Sequence, residues 1–366
     1  MYIKIKLLIV ILLILIILFL FKKIYYKESF EPNYKIISLD EFNDLFKSDI
    51  ITLPKSMYAA GVINKDWYLC VDEPNDHTEF KLWEFHYIKN NIHPRVNKLK
   101  YYYIMYFWDG YRERTPLYKG DLVPYVPYKG QYDNEYAIQF KNEYIVIHKN
   151  KNIFSYNRQI NDNNTLLFPD YFYISEHGYK KQFFNQIDEN YISFNSKLNK
   201  CVYRGALNNG SVTNFIDMTD KNNLNQREYF KKLYEEQKFK NVDFEDNKLT
   251  VPEQMKYKYI LDIDGWANTW SATVWKLYSG SVLIKTKSIW KQWYYDELKE
   301  YVHYVPVEND FSNLNEQIQW CIDNNDKCEQ ITKNAKDFVL NKLNWDQVIK
   351  DTTTTFTTYL NNSVFE

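Results

Sequence analysis

Residues that could bind a phosphate stand together in the second half of the chain. Tyr203-Arg204-Gly205 precedes a polar loop over residues 206–211. The fork of an arginine side chain matches phosphate oxygens, and a glycine lets backbone N–H groups approach the same anion. Arg204 and Gly205 are therefore a candidate clamp for a diphosphate. The alternative is a surface salt bridge of Arg204 beside a loop that only reverses the chain.

A second candidate is the carboxylate pair in Asp262-Ile263-Asp264, which Gly265 follows. Carboxylate oxygens suit Mg²⁺ or Mn²⁺, and an Asp-x-Asp pair can hold such a metal against the diphosphate of a nucleotide-sugar. Two other interpretations stay open. One carboxylate could cap the next helix while the other holds a sugar or ribose hydroxyl, or both could be purely structural.

Two more side chains have types that suit the same chemistry. Lys285 ends the apolar segment Ser281–Lys285, and a lysine there could reach a phosphate, although a solvated lysine fits the spacing equally well. His303 could serve as an acid or a base. A lone histidine at a strand is more often a structural hydrogen-bond donor, which is the favoured interpretation.

Regular elements must position these residues. The sequence predicts strands over Tyr257–Asp262, Ser281–Lys285 and Val302–Val305, with helices over Ser271–Tyr278 and Trp290–Lys299. Alternation of strands and helices indicates βαβ units around a parallel sheet. Ligands of open parallel sheets bind outside the carboxyl ends of the strands. Two of the candidate groups follow such strand ends, so the pattern predicts the site there.

The first half of the chain is less regular. Ser38 or Asp40 is a candidate cap for a short helix that runs to Phe46. Residues 101–108 and 143–148 are rich in β-formers and predict two strands. Farther on, Ser312 is a candidate cap for a late helix.

Composition excludes several classes of protein. The chain has 366 residues, which suits two domains, and 45% of them are hydrophobic. Its 46 basic and 47 acidic residues give a net charge of -1, so no basic surface for nucleic acid is expected. The four cysteines include no CxxC pair, so no metal framework is expected. The 34 tyrosines either fill the core or stack on sugars, and composition does not separate the two.

Leu7 to Phe21 is an unbroken apolar run between two pairs of lysines. No small-residue cleavage site follows it, which favours an uncleaved signal-anchor helix over a cleaved signal peptide. We therefore expect a single-pass, type II membrane protein that faces the lumen of the endoplasmic reticulum or Golgi. The flanking charges are balanced and do not fix the orientation.

Taken together, the motifs resemble the C-terminal part of glycosyltransferase family 90, the group of protein O-glucosyltransferases and capsule-associated proteins. The resemblance rests on four segments in the family's order, KYKYILDIDG, WSATVWKLYSGSVLIK, SIWKQWYYDELKEYVHYVPV and DFSNLNEQIQW, with Arg204-Gly205 resembling the family's arginine–glycine loop. It implies an α/β fold of GT-B type, with two Rossmann-like domains facing a cleft. The expected layout is a signal-anchor over 1–23, a stem over 24–35, an acceptor domain over 36–195, a nucleotide-sugar domain over 196–343 and a C-terminal helix or tail over 344–366.

The resemblance also implies a function. The family transfers a sugar with inversion, here glucose or a xylose-like sugar, from a UDP-sugar to a hydroxyl of a protein or glycan, with no cofactor and no required metal. The donor site would comprise one set of residues in this chain: Arg204, Gly205, Asp262, Asp264, Gly265, Ser271 and Lys285.

The general base is the missing part of this resemblance. The family has an aspartate shortly before the segment that matches Ile153–Tyr156, but residues 148–152 contain no acid. Asp109 is the first substitute, because it follows a predicted strand; Asp170 and His148 come next. Two alternatives stay open, namely an inactive membrane-tethered protein that binds nucleotide-sugars or glycans, and a metal-dependent transferase that uses Asp262 and Asp264.

Overall fold

The protein has two main β-sheets, one in each half of the chain. The computed structural model describes residues 34–50, 53, 57–71, 78–106, 122–124, 144–146, 153–160, 162, 165–175, 177–207, 225–265 and 267–363. Within these residues the first sheet has six strands and the second has five, with helices packed around them. The predicted α/β class is confirmed.

The strands and helices of the described residues can be numbered in chain order. The strands are β1 (Tyr34–Ile36), β2 (Met57–Ile63), β3 (Asp66–Val71), β4 (Lys100–Tyr106), β5 (Leu122–Pro124), β6 (Tyr144–Val146), β7 (Ile153–Ser155), β8 (Arg158–Gln159), β9 (Leu166–Leu167), β10 (Leu198–Tyr203), β11 (Val242–Phe244), β12 (Tyr257–Asp262), β13 (Val282–Thr286), β14 (Trp290–Lys291) and β15 (Val305–Val307). The α-helices are α1 (Leu39–Phe46), α2 (Thr78–Tyr87), α3 (Tyr171–Ser175), α4 (Asn185–Glu189), α5 (Gln226–Glu235), α6 (Val251–Gln254), α7 (Ser271–Tyr278), α8 (Leu314–Asp323), α9 (Asn325–Lys342) and α10 (Trp345–Asn362). Short 3₁₀ or π turns occupy Ile88–Ile92, His93–Arg95, Lys180–Phe184, Phe194–Ser196 and Tyr295–Glu297.

The second sheet is parallel throughout and has the order β11-β10-β12-β13-β15. Its central strands are apolar on both faces. Ile260 and Leu283 pack into the core cluster on one face, whereas Tyr259, Leu261 and Ile284 pack into the cluster on the other. Helices cover both faces, which is the arrangement that a parallel sheet requires.

The first sheet is mixed and has the order β1-β3-β2-β4-β7-β9. Strand β2 runs antiparallel to both of its neighbours, β3 and β4, whereas β4, β7 and β9 are parallel to one another. Strands β1 and β3 at the other edge are also parallel, so the parallel pairing expected of a Rossmann-like domain is interrupted at β2. The chain between β2 and β3 is a tight turn at Asn64-Lys65, which forces the two strands to be antiparallel.

Local structure agrees with several sequence predictions. Strand β12 and helix α7 have the predicted bounds, and Ser38 caps α1 in a capping box with Glu41. The helix predicted over 290–299 is wrong. Its aromatic residues lie instead in the short strand β14 and a 3₁₀ turn. The Ser312 cap is also wrong, because α8 begins at Leu314 after Asn313 and has no side-chain cap.

The two halves of the chain are joined by backbone pairing and by aromatic packing. Strand β14 pairs with β8, so Trp290 of the second half lies opposite Gln159 of the first. Helix α10 returns to the first sheet, where Phe356 stacks on Phe154 with ring centroids 3.9 Å apart. The last helix of the chain therefore completes the core of the first half.

The predicted signal-anchor, the stem to residue 33 and the apolar run Leu7–Phe21 lie outside the described residues. Among the helices that the structure does describe, none combines the length and apolarity needed to cross a bilayer.

Gly61 in β2 gives a test of the packing under the first sheet. A Cβ at this position would lie 2.3 Å from the Phe46 ring, which α1 presses against the strand. We expect Gly61→Ala to lower the free energy of unfolding by roughly 1–3 kcal/mol, because the buried ring has little room to move. Urea denaturation measures this loss. In a Phe46→Leu background the same substitution should cost clearly less, and an equal cost in both backgrounds would contradict the contact.

Candidate functional site

A pocket opens at the carboxyl ends of strands β10 and β12, beside the start of helix α7. Its volume is about 330 Å³. The residues that form its wall are Tyr203, Arg204, Gly205, Arg227, Ile263, Gly265, Asn268, Thr269, Trp270, Ala272 and Lys276. The position is the one that the strand-end argument predicts for a ligand in a parallel sheet.

Asp262 lies beneath this pocket and holds its floor together. The side chain is completely buried, and its carboxylate accepts hydrogen bonds from Lys276 Nζ at 2.5 Å, Thr269 Oγ1 at 2.8 Å and Thr273 Oγ1 at 2.8 Å. Burial alone would raise the pKa of Asp262, but the neighbouring ammonium groups of Lys276 and Lys285 hold it at about 2. The carboxylate thus fixes the start of α7. Because its oxygens are already bonded within the protein, it is not placed to contact a nucleotide-sugar directly.

Asp264 has a different environment. It is buried, and its carboxylate lies 3.7 Å from Lys285 Nζ. Neither oxygen makes a hydrogen bond of ordinary geometry with the described residues. Burial raises the pKa of Asp264, while Lys285 and the Ser288 hydroxyl lower it in part. The carboxylate has hydrogen-bonding capacity left for a ligand hydroxyl or water.

The arrangement does not favour a metal on the Asp-x-Asp pair, because the oxygens of Asp262 are already bound by an ammonium group and two hydroxyls. Across the part of the chain that the structure describes, no group of three or more histidine, cysteine, aspartate or glutamate side chains is placed to hold a metal ion.

Arg204 lies in the pocket wall, but its guanidinium points into the edge of the second sheet. It donates to the carboxylate of Asp243 at 2.6 Å, to the Asp243 and Tyr203 carbonyls at 2.9 Å and to Asn247 Oδ1 at 2.9 Å. Almost all of its donors are engaged, and Asp243 neutralises its charge. In this conformation Arg204 holds β10 to β11 and is not a free clamp for a diphosphate.

Arg227 is the cation that the sequence analysis missed. It lies two residues after the capping residue Asn225, at the start of α5. Among the described residues its guanidinium donates to backbone carbonyls alone, those of Asp264 at 3.0 Å, Ala206 at 3.0 Å and Ile263 at 3.1 Å. Within the described residues no carboxylate forms an ion pair with it. Its charge is therefore available to an anion in the pocket. No sequence signal marked it, because it lies on a helix far from the strand ends in sequence.

The start of helix α7 adds a second anion-binding feature. Trp270 precedes the helix and has no side-chain cap, and Ala272 of the first turn lies in the pocket wall. The Ala272 N–H is already bonded to the Thr269 carbonyl at 2.9 Å, but the dipole of a helix start still favours negative charge beside it. Ser271 opens this helix and is half-buried beside the pocket.

Gly205 and Gly265, two other predicted residues, also lie in the pocket wall. Gly205 lies so close to Tyr203 that a Cβ there would meet the tyrosine hydroxyl at 2.6 Å, so a larger residue would displace that ring. Three polar atoms of the wall, Tyr203 Oη, Asn268 Oδ1 and Trp270 Nε1, are buried without a hydrogen-bond partner among the described residues. Such atoms are costly in an empty protein and indicate a site that a polar ligand or water completes.

Comparison with protein families agrees with this placement. The model of glycosyl transferase family 90 matches residues 135–365, which include the second sheet and the whole pocket. The chain belongs to glycosyltransferase family 90. The resemblance inferred from the segments around Asp262 and Lys285 is confirmed.

Individual relatives match shorter parts of the chain. Protein O-glucosyltransferase 1 of Bos taurus is 32% identical over 96 residues, which are 26% of this chain and 24% of that protein. Uncharacterized protein 179R of Invertebrate iridescent virus 6 is 34% identical over 165 residues, which are 43% of this chain and 13% of the viral protein. The chain thus matches a quarter or less of the length of these relatives. Among solved structures, Anabaena Alr3699/HepE in complex with UDP and glucose has a TM-score of 0.31 and 11% identity, with 48% of this chain and 52% of that chain covered.

Three residues of the first half are candidate bases. Asp109 and His148 lie outside the described residues. Asp170 is buried, and its carboxylate accepts from the Tyr173 backbone N–H at 3.1 Å and from the Tyr179 hydroxyl. Burial raises the pKa of Asp170 to about 6. Both of its oxygens serve the loop around α3, so its geometry is that of a structural residue and not of a base facing the pocket.

Glu84 on α2 is a buried acid that the sequence analysis did not single out. It accepts a hydrogen bond from the hydroxyl of Tyr156, whose ring packs edge-on against Trp270 of the pocket, 5.5 Å between centroids. Burial raises the pKa of Glu84 to about 8, so the carboxyl keeps its proton at neutral pH. Glu84 and Tyr156 thus connect the first half of the chain to the pocket.

The raised pKa of Glu84 predicts a dependence of stability on pH. A carboxyl whose pKa is higher in the folded state stabilises the fold while protonated, and this contribution is lost as pH rises from about 4.5 through 8. Glu84→Gln stays neutral and removes that loss. We expect it to match the wild type at pH 5 and to exceed its free energy of unfolding at pH 9 by about 3 kcal/mol, taking 1.36 kcal/mol per pKa unit and some relaxation of the site.

Thermal and urea unfolding of both proteins between pH 5 and pH 9 provide the measurement. The exposed Glu316 on α8 supplies the matched control, Glu316→Gln, whose difference from wild type should stay constant with pH. A Glu84→Gln difference that is equally flat would contradict the buried, protonated carboxyl.

Proposed function

We propose that this protein is an inverting glycosyltransferase that moves a glucose or xylose-like sugar from a UDP-sugar to a hydroxyl of a protein or glycan. Membership of glycosyltransferase family 90 supports the class of reaction. The name of the Bos taurus relative, protein O-glucosyltransferase 1, supports glucose and a protein acceptor. The observation that carries the proposal is the pocket in which Arg227 and the start of α7 meet at the strand ends.

The proposed donor site uses these two anion-binding features together. The diphosphate lies against the Arg227 guanidinium and the start of α7, whose positive charge and helix dipole stabilise the charge that develops on UDP as it leaves. Asp264, with Lys285 beside it, faces a hydroxyl of the ribose or sugar. Gly205 and Gly265 let the chain approach the ligand closely. The chemistry then needs no metal, because protein cations supply the charge.

In the proposed GT-B arrangement the first half of the chain supplies the acceptor side and the base. Strand β4 ends at Tyr106, whose partner across the parallel pairing is Ser155 of β7. Tyr156, the residue that follows β7, packs against Trp270 of the pocket. Since parallel strands end at one edge, the chain leaving β4 starts from the edge that faces the pocket. Asp109, three residues beyond Tyr106, is therefore our proposed base, taking the proton of the acceptor hydroxyl as it attacks the anomeric carbon.

Release of UDP from UDP-glucose and UDP-xylose, with and without crude acceptor proteins and glycans, tests the function. We expect acceptor-dependent release that EDTA does not affect. Asp109→Asn should lower the rate about 100-fold or more, since it removes the base, while UDP binding stays unchanged. Asp170→Asn serves as the matched control and should lower the rate far less at equal stability.

Each other outcome has a definite meaning in this assay. Binding of UDP-sugars without turnover by the wild type would support the inactive binding protein instead. Loss of activity in EDTA, restored by Mn²⁺, would support the metal-dependent hypothesis. Full activity of Asp109→Asn would assign the base to another residue. The signal-anchor and the lumenal, type II orientation remain part of the proposal, and carbonate extraction with protease protection of tagged protein tests them.

The two arginines of the pocket should differ in what their loss does. We expect Arg227→Gln to weaken UDP binding by about 10- to 100-fold, the loss typical of hydrogen bonds to charged groups. Arg204→Gln should mainly lower the unfolding temperature, because Arg204 joins β10 to β11 through Asp243. Calorimetric titration with UDP and thermal unfolding separate the effects. An Arg204→Gln protein that is as stable as wild type and loses as much affinity as Arg227→Gln would contradict the assignment.

A further inference from the structure

Trp270 occupies an unusual backbone conformation at the mouth of the pocket. Its φ is 47° and its ψ is -121°, a combination that glycine adopts readily and a tryptophan does not. Non-glycine residues in such conformations are strained and persist only where the surrounding structure enforces them. Here Asp262 supplies the enforcement, since it binds Thr269 immediately before Trp270 and Thr273 shortly after it.

The side chain of Trp270 bridges the pocket and the first half of the chain. It lines the pocket together with Arg227 and Ala272. Its indole also packs edge-on against Tyr156, with centroids 5.5 Å apart and an interplanar angle of 82°, and lies 6.2 Å from the Phe172 ring. Tyr156 is itself fixed by its hydrogen bond to Glu84. Trp270 is thus the residue of the pocket wall that meets the aromatic surface of the first half.

This position limits where a transferred sugar can lie. If the diphosphate is bound by Arg227 and the start of α7, the sugar must extend from it toward the half that supplies acceptor and base. Trp270 lies between the two. The indole N–H is buried and has no partner among the described residues, so one donor remains for a ligand hydroxyl. Aromatic rings also pack well against the C–H faces of sugars, because both are apolar surfaces with polar edges.

We propose that Trp270 determines recognition of the transferred sugar, with its ring packing against the sugar and its indole N–H donating to a sugar hydroxyl. The inference rests on the proposed function and names the residue that distinguishes a UDP-sugar from UDP. Trp270 contributes nothing comparable to UDP alone, whose contacts are with Arg227 and the helix start. Its removal therefore changes the relative affinity for the two ligands, whereas a merely structural role would change both affinities equally.

Calorimetric titration of the full chain with UDP and with UDP-glucose tests the proposal. The quantity compared is the ratio of the dissociation constant of UDP-glucose to that of UDP. Trp270→Phe keeps a ring and removes the N–H, and we expect it to raise this ratio about fivefold or more, as loss of one good hydrogen bond does. Trp270→Gly removes the whole side chain but suits the positive φ, so it keeps the test available if the phenylalanine variant is unstable. It should raise the ratio further.

Trp320→Phe is the matched control. Trp320 lies on α8, packs against Tyr301 and takes no part in the pocket wall. Its ratio should equal that of the wild type. Suppose that the wild type binds both UDP and UDP-glucose, and that a folded Trp270→Phe or Trp270→Gly variant has a ratio within twofold of the wild type. This result overturns the inference about Trp270 and leaves the proposed function standing. A wild-type protein that binds neither ligand overturns the proposed function and this inference with it.

Discussion

The site depends on one buried carboxylate, that of Asp262 at the end of β12. A buried charge without partners would be very costly, but Lys276 and Thr273 of α7 and Thr269, two residues before the helix, bind this one. The same contacts fix the direction in which the chain leaves the strand and begins the helix. Removal of Lys276 alone would take away the ammonium group that bonds this carboxylate directly, which is typically far more destabilising than replacement of the whole pair.

The positions of Arg227 and Trp270 in the pocket depend on the loop that Asp262 holds. The carbonyls of Ile263 and Asp264 accept from Arg227, so the position of this guanidinium depends on that loop. The strained backbone of Trp270 persists because the flanking threonines are bound to the carboxylate. An Asp-x-Asp pair that looks like a metal site in the sequence is thus divided. The first carboxylate is bonded to Lys276, Thr269 and Thr273, whereas the second has no hydrogen-bond partner among the described residues.

The regular parts of the second sheet could be predicted because local pattern and tertiary environment agree there. Tyr257–Asp262 and Ser271–Tyr278 have the patterns of a buried strand and of a helix, and both lie in the core. The sequence wrongly predicts a helix over Trp290–Lys299, because the aromatic residues there recur at helical spacing. Pairing of Trp290 with Gln159, more than a hundred residues earlier in the chain, decides its conformation instead. Arg227 could not be predicted, because its carbonyl partners meet it only when the chain folds.

The abundance of tyrosine is also explained by contacts that sequence cannot supply. Buried tyrosine hydroxyls donate to acids across the structure, as Tyr156 does to Glu84, Tyr179 to Asp170 and Tyr278 to Asp188. Each pair buries an apolar ring together with a satisfied hydroxyl. These three tyrosines therefore belong to the core.

The contacts that join the two halves of the chain also matter for the proposed reaction. In the proposed function the two halves bind donor and acceptor, so they need a defined separation. Pairing of β14 with β8 and the return of α10 to the first sheet fix that separation by backbone and core contacts. The hydrogen bond from Tyr156 to Glu84 holds the ring that packs against Trp270, so the contact of the first half with the pocket depends on this buried pair. Burial raises the pKa of Glu84, so the pair brings a neutral acid and not a buried charge to this joint.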